Sequence, residues 1–195
     1  TLERLRRDGM AFTLDVLGES TTSDARADAY AAVYLDCLDK LSPEIARWPG
    51  VALLDDTDFG PQPRLNISVK LTGLDPHFDA IAPRASMDRV AARLRPLLRR
   101  ARQRGAFVNI DIESFKHRLL TLDLFESLMS ESEFRDFTDV GIVVQAYLKQ
   151  GEEDLARLLE WGRRRGTRFA IRLVKGAYWD SEVASAVRNH STPPV

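Results

Sequence analysis

The sequence predicts an α/β fold, a TIM-type (βα)8 barrel of which this chain holds about five βα units. Short apolar segments alternate with amphipathic helical stretches, a pattern typical of a parallel sheet covered by helices. Polar residues also recur near the carboxyl end of every predicted strand, where a β/α barrel carries its active site. A doubly wound sheet would concentrate its ligand contacts on two neighbouring strands, so polar residues on every strand favour the barrel.

Five segments are predicted as strands because each is short, rich in Val, Ile, Phe or Leu, and bounded by polar or glycine residues. They are residues 11–19, 65–72, 107–114, 140–149 and 169–178. We expect residues 1–10 to form a helix before the barrel and residues 11–195 to hold strands one to five with their helices. Since a closed barrel has eight strands, roughly a third of the fold is expected outside this sequence.

Apolar residues at spacings of three and four predict two long amphipathic helices. The first stripe comprises Tyr30, Val33, Tyr34, Cys37, Leu38 and Leu41, and the second comprises Val90, Leu94, Leu97, Leu98 and Ala101. In the second helix, Ser86 is the expected N-cap and Gly105 the expected end, while Pro96 should kink the helix or lie near a boundary. Further helices are predicted over 120–129, 152–166 and 181–190, and the longest loop over 49–64.

Composition and charge exclude several classes of function. A net charge of −1 over 195 residues provides no field that would favour nucleic acid or an acidic membrane. The arginine-rich stretches 95–104 and 163–165 fall on predicted outer helices and are interpreted as solvated faces. The one cysteine, Cys37, suits a reducing compartment. No apolar run approaches the ~20 residues needed to span a bilayer.

No metal site is predicted from the histidines or from the acidic stretch 55–58. His77, His117 and His190 are scattered and match no ligand spacing. The acidic stretch 55–58 lacks the ligand periodicity of a calcium loop, so it is interpreted as a polar loop.

The last predicted strand carries Arg172 and ends in Lys175 and Gly176. Two cations beside exposed backbone amides suit a phosphate or an electron-rich cofactor ring, and glycine lets the backbone come close to a ligand. The alternative is a structural salt bridge from these cations to Asp111 or Asp15.

Three other strands offer further candidates. Asp111 and Glu113 share one strand face and suit acid–base chemistry or a metal, unless Asp111 pairs with a cation of a neighbouring strand. Lys70 suits a Schiff base, a cation for a substrate carboxylate, or a structural ion pair. Gln145 suits a hydrogen bond to a ring edge or to the backbone.

Five segments together resemble the proline dehydrogenase domain, as it occurs in the bifunctional flavoenzyme proline utilization A. They are LDVLGE, ISVKLT, IDIESF, VVQAYLK and IRLVKGAYWDSE. The resemblance implies a β/α barrel with non-covalent FAD that oxidises L-proline to 1-pyrroline-5-carboxylate by hydride transfer to flavin N5. It also implies electron transfer to a membrane quinone, a homo-oligomer as the full-length protein, and a cytoplasmic location with peripheral association at the inner face of the membrane.

The resemblance implies a role for each matched residue. Arg172 is similar to the arginine near flavin N5, and Asp111 to an active-site aspartate that orients Lys70. Lys70 and Tyr178 are similar to residues that receive proline, and Glu19 to a glutamate that closes the pocket. The implied cofactor-binding residues are Ile112, Gln145, Arg172, Lys175, Gly176, Ala177 and Trp179.

Two rival hypotheses remain open. One is a Schiff-base barrel enzyme using Lys70 or Lys175. The other is a non-catalytic barrel fragment, because the family's later segments, including the arginines that would pair with Glu19, are absent. The retained Lys70, Asp111, Gln145 and Arg172 argue against a vestigial site.

Overall fold

The computed structural model describes residues 2–17 and 21–195. The strands are β1 (Leu14–Asp15), β2 (Asp56–Thr57), β3 (Gly60–Pro61), β4 (Asn66–Lys70), β5 (Phe107–Asp111), β6 (Val140–Gln145) and β7 (Ala170–Val174). The helices are α1 (Leu2–Arg7), α2 (Asp24–Ala46), α3 (Ala52–Asp55), α4 (Pro83–Arg104), α5 (Phe115–Ser130), α6 (Gly151–Arg165) and α7 (Trp179–Arg188).

The main sheet has five strands in the order β1-β4-β5-β6-β7, and every neighbouring pair is parallel. Each strand of the main sheet falls inside one of the five predicted segments and is shorter than that segment. The α/β prediction with a parallel sheet is therefore confirmed. The second sheet is the β2–β3 hairpin, whose strands are antiparallel.

Alternate residues of the strands separate an apolar face from a polar one. Ile67, Val69, Val108, Ile110 and Ile142 are buried in the hydrophobic core with residues of α2, α4 and α5. The positions that alternate with them on β4 and β5 are Asn66, Ser68, Lys70, Phe107, Asn109 and Asp111, all polar except Phe107. Because side chains alternate along a strand, these polar residues share one face, and this face leads to the carboxyl edge of the sheet.

Two details of the predicted helices are wrong. Helix α4 begins at Pro83, so Ser86 lies inside the helix. Proline is favoured at this position because the N–H groups of the first turn have no acceptor within the helix, and proline lacks that N–H. The Ser86 hydroxyl is buried and instead accepts a hydrogen bond from the Asp79 amide at 3.1 Å. Gly105 ends α4 with a φ of 60°, as predicted, and Pro96 lies inside the continuous helix. In α2, Val33 is 45% exposed, so the apolar stripe is narrower than predicted.

The segment predicted as a long loop, 49–64, contains α3 and the β2–β3 hairpin. Asp55 organises it: its carboxylate accepts hydrogen bonds from the Val51 amide at 2.8 Å, from Arg64 at 2.8 Å, and from Arg6 of α1. The interpretation of residues 55–58 as only a polar loop is therefore wrong for Asp55. Its long-range ion pairs hold α1 against the start of β4.

The arginines of the outer helices mostly form ion pairs at the surface, as expected of solvated faces. In α4, Arg95, Arg99 and Arg102 pair with Glu131, Glu133 and Asp136.

Arg165 is an exception to the predicted solvated face, because it is only 9% exposed. Its guanidinium donates to the carbonyls of Met129, Phe134 and Phe137 at 3.1, 2.9 and 2.7 Å. The last turn of α6 directs this side chain inward, onto the loop between α5 and β6.

Within the part of the chain that the structure describes, no helix is long and apolar enough to cross a membrane. No cluster of three or more His, Cys, Asp or Glu among residues 2–17 and 21–195 is arranged to hold a metal ion.

Candidate active site

A cleft of about 390 Å³ lies at the carboxyl ends of β4, β5, β6 and β7. It is lined by Lys70, Asp111, Ile112, Glu113, Val143, Gln145, Arg172, Val174, Lys175, Gly176, Ala177 and Tyr178. The structure thus brings together every predicted site residue except two. Trp179 follows the cleft as the first residue of α7. Glu19 lies outside the described residues.

Lys70, the last residue of β4, has a buried side chain whose ammonium donates to Asp15 of β1. The register places this pair at the carboxyl end of the β1–β4 ladder, since Asp15 lies opposite Ser68. Sequence reasoning named Asp15 only as a possible partner of Arg172 or Lys175. The signal that pointed to it was its position in or near the C-terminal half of the first predicted strand.

Asp111 and Arg172 form the second ion pair of the cleft. Oδ1 of Asp111 accepts hydrogen bonds from the Ser68 hydroxyl at 2.9 Å, from the Asn109 amide at 3.1 Å, and from Nη2 of Arg172. Burial raises the pKa of Asp111, and the Ser68 hydrogen bond and the Arg172 charge oppose that rise. Arg172 therefore forms a salt bridge with Asp111 and lines the cleft at the same time, so the two interpretations of this residue do not exclude each other.

The two carboxylates Asp111 and Glu113 have different surroundings. Glu113 lies beyond the end of β5 and accepts hydrogen bonds from the Thr72 amide at 3.2 Å and from the Thr72 hydroxyl at 2.7 Å. Glu113 therefore joins the loop after β5 to the turn after β4.

Gln145 ends β6 with a buried side-chain amide. Its Nε2 donates to the carbonyls of Ile112 and Glu113 at 3.2 and 3.1 Å, which holds the loop after β5. Its Oε1 is buried and has no hydrogen-bond partner among the described residues. A buried acceptor without a protein partner is open to a water molecule or a ligand that donates a hydrogen bond to it.

The turn after β7 depends on Gly176, whose φ is 115°. A Cβ at this position would overlap the ring of Tyr147. The turn is also held by the Tyr147 amide, which donates to the Lys175 carbonyl at 2.9 Å. The ring of Tyr147 lies 6.0 Å from that of Trp179, centroid to centroid. Glycine is therefore required here by a protein contact as well as by its backbone conformation.

Sequence reasoning missed Glu182, a buried residue in the first turn of α7. Its Oε1 accepts a hydrogen bond from the Phe115 amide at 2.6 Å. The first amides of a helix lack partners within the helix, so Glu182 satisfies one at the start of α5 and ties α7 to it. Ser68, Asn109 and Tyr147 were also missed. Ser68 and Asn109 lie two residues before Lys70 and Asp111, which is the spacing of one strand face.

Comparison with known proteins identifies the family. The sequence model described as "Proline dehydrogenase" matches residues 1–195. The chain is 34% identical over 187 residues to the "Bifunctional protein PutA" of Escherichia coli (strain K12), covering 94% of this chain and 13% of that protein. It is 29% identical over 183 residues to "Proline dehydrogenase 1" of Bacillus subtilis (strain 168), covering 93% of this chain and 48% of that protein. The chain thus spans less than half the length of these curated relatives.

A solved structure has the same arrangement of elements. It is proline utilization A (PutA) from Bdellovibrio bacteriovorus inactivated by N-propargylglycine, which matches with a TM-score of 0.97 and 39% sequence identity. The match covers 100% of this chain and 20% of that chain. The five parallel βα units are therefore a fragment of a TIM-type barrel, as predicted. The chain belongs to the proline dehydrogenase family.

Proposed function

We propose that the protein carrying this chain is an FAD-dependent proline dehydrogenase that oxidises L-proline to 1-pyrroline-5-carboxylate. The proposal rests on the cleft at the carboxyl edge of the sheet, which holds the cations Lys70, Arg172 and Lys175. The chain that forms this cleft belongs to the proline dehydrogenase family. An anionic substrate and an electron-rich ring both need such cations.

The cleft residues fit the cofactor. Gln145 offers a buried acceptor that lacks a partner in the described structure, which suits an N–H of a flavin ring. Arg172 and Lys175 offer positive charge, and the Gly176–Ala177 turn offers backbone amides. When bound, FAD would supply its flavin N5 atom as the acceptor of the hydride that proline loses, and it would pass the electrons on.

The residues of the chain supply placement and charge. Arg172, held by Asp111, presents a guanidinium where negative charge develops during the reaction. Lys70 supplies a cation for the proline carboxylate, and Tyr178 forms a wall of the cleft. Ile112, Gln145 and Trp179 complete the proposed cofactor contacts.

The Schiff-base alternative that uses Lys70 is disfavoured by the surroundings of that lysine. Its ammonium pairs with Asp15, and an adjacent carboxylate stabilises the charged form. A Schiff-base lysine has to be a neutral amine to attack a carbonyl.

We also propose a setting for the complete protein. It is a homo-oligomeric cytoplasmic protein with a second, aldehyde dehydrogenase domain, and it delivers electrons to a quinone at the inner face of the membrane. The name of the relative called a bifunctional protein supports the second domain. Proline-dependent reduction of a soluble quinone analogue, measured with and without added membranes, tests the acceptor.

The test of the proposed function is the substitution Arg172→Met in the complete protein. We expect proline to bleach the flavin absorbance of the wild type under anaerobic conditions. Without the guanidinium, the rate constant of bleaching should fall about 100-fold, because one electrostatic contact to developing charge is lost.

Arg188→Met is the matched control, because Arg188 is an exposed arginine in the last turn of α7. It should bleach at the wild-type rate. A wild-type protein whose flavin is unaffected by proline would contradict the proposed function. Wild-type kinetics in Arg172→Met would instead remove Arg172 from its role.

A further inference from the structure

The Ser68 hydroxyl lies between the two members of the Arg172–Asp111 ion pair. It donates to Oδ1 of Asp111 at 2.9 Å and accepts from Nη2 of Arg172 at 2.8 Å. Ser68 is 2% exposed, so water does not compete for these bonds. One hydroxyl has one hydrogen to donate and lone pairs to accept with, and both capacities are used here.

The position of this hydroxyl is set by the sheet and by α2. Ser68 lies opposite Asp15 on β1 and Asn109 on β5 in the parallel ladders. Its carbonyl accepts a hydrogen bond from the buried Tyr34 hydroxyl of α2 at 2.8 Å. The backbone that carries the hydroxyl is therefore held from three sides.

Arg172 needs such a partner because its side chain is long and 39% exposed. Its hydrogen bonds to described residues all leave from Nη2, toward Ser68 and Asp111. With this nitrogen held at two points, the rest of the guanidinium keeps one orientation and faces the cleft. A single contact would leave an arginine several rotamers.

We propose that Ser68 is a positioning residue, whose buried hydroxyl fixes the Arg172 guanidinium against Asp111 and stabilises the ionised form of Asp111. Its part in the reaction rests on the proposed function, whereas the hydrogen-bonded arrangement does not.

The arrangement has a consequence for pH dependence. Burial raises the pKa of Asp111, and the hydrogen bond from Ser68 and the charges of Arg172 and Lys70 act to lower it, while the charge of Asp15 raises it. Removing the hydroxyl removes a stabiliser of the carboxylate, so the pKa of Asp111 rises further. Asp111 then protonates at a higher pH, and Arg172 loses its counter-charge there.

The experiment compares three variants of the complete protein with the wild type. Ser68→Ala removes the hydroxyl, and Ser68→Cys replaces it with a weak donor of similar size. Ser86→Ala is the control, because Ser86 is equally buried but its hydroxyl bonds to His77 and Asp79. Two quantities are measured: the pH profile of kcat/KM for proline, and the titration of the infrared carboxyl band that Asp111→Asn abolishes.

We expect Ser68→Ala to lower kcat/KM roughly tenfold on the acidic side, since a hydrogen bond to a charged group is lost. In Ser68→Ala, the acidic limb of the kcat/KM profile and the titration of the Asp111 carboxyl band should both move to higher pH. The shift in Ser68→Cys should lie between those of the wild type and Ser68→Ala, and Ser86→Ala should match the wild type. If Ser68→Ala does not fold, the Ser68→Cys shift decides.

An unchanged carboxyl titration in a folded Ser68 variant would overturn the proposal. So would an equal shift in Ser86→Ala. If the wild type did not oxidise proline at all, the proposed function would fall, and the infrared titration would still decide whether Ser68 stabilises the ionised carboxylate.

Discussion

At the scale of single residues, the turn after β7 depends on the absence of one Cβ. Gly176 adopts a φ of 115°, which L-residues avoid, and the Tyr147 ring fills the space that its side chain would need. Gly105 also has a positive φ, of 60°, but a Cβ there would meet no atom within 4 Å. The two glycines therefore differ both in backbone conformation and in the steric overlap that a Cβ would meet.

Gly176→Ala is expected to destabilise the protein more than Gly105→Ala. Gly105→Ala should cost about 1 kcal/mol of unfolding free energy, the penalty of the left-handed conformation. Gly176→Ala adds the overlap with Tyr147, so it should cost more and also lower the fraction of protein that retains flavin. Urea denaturation and the flavin-to-protein absorbance ratio measure the two effects. Equal costs, with flavin fully retained, would contradict the assigned packing of Tyr147.

At the scale of elements, buried polar side chains form hydrogen bonds that join a helix to the backbone of a neighbouring helix or loop. Arg165 binds three carbonyls around the α5–β6 connection, and its ring contact with Trp161 of the same helix places the guanidinium 5.4 Å from the ring centroid. Glu182 joins α7 to the start of α5 in the same way. Such contacts fix the position of the α5–β6 connection and of the start of α5 relative to α6 and α7.

Arg165→Met is expected to destabilise the protein by about 3 kcal/mol, because three buried carbonyls lose a charged donor. Arg164→Met is the matched control: its side chain is 63% exposed in the same turn and pairs only with Glu160 among the described residues. That change should stay within about 0.5 kcal/mol. The comparison uses calorimetric or urea unfolding of both variants. A small effect of Arg165→Met would mean that water replaces the guanidinium in the loop.

At the scale of the whole molecule, the five-stranded sheet has two edges in the described residues, β1 and β7. Strand β7 also leaves Leu173 60% exposed on its surface. Unpaired edges with apolar side chains are templates for association with other chains.

The 195-residue chain produced alone is therefore expected to self-associate and to bind FAD poorly. Light scattering after size exclusion should detect species larger than the 22.0 kDa monomer, and the preparation should lack a flavin spectrum. The complete protein, purified in parallel, is the control. A monodisperse, flavin-loaded preparation of the short chain would show that the edges are satisfied without further strands.

The parallel strands, their order and most cleft residues could be predicted from the sequence, because their signals are local. Short apolar runs identify buried strands, and a polar residue in or near the C-terminal half of a run lies toward the carboxyl edge whatever the later packing. Lys70, Asp111, Gln145 and Arg172 were found in this way. Five motifs together, of which the one around Gly176 is the most specific, then indicated the family, which no periodicity could.

The sequence offered Asp111 as one possible partner of Arg172 and the backbone as one possible partner of Gln145. The choice among such partners required the tertiary structure, because it depends on strand register and on the depth of each helix. Ser68 and Arg172 are 104 positions apart in the chain, and Phe115 and Glu182 are 67 apart. Nothing local distinguishes Ser68 from a serine that faces solvent, or Arg165 from the exposed arginines beside it. A side chain acquires such a role only when packing removes water and leaves one protein group within hydrogen-bond distance.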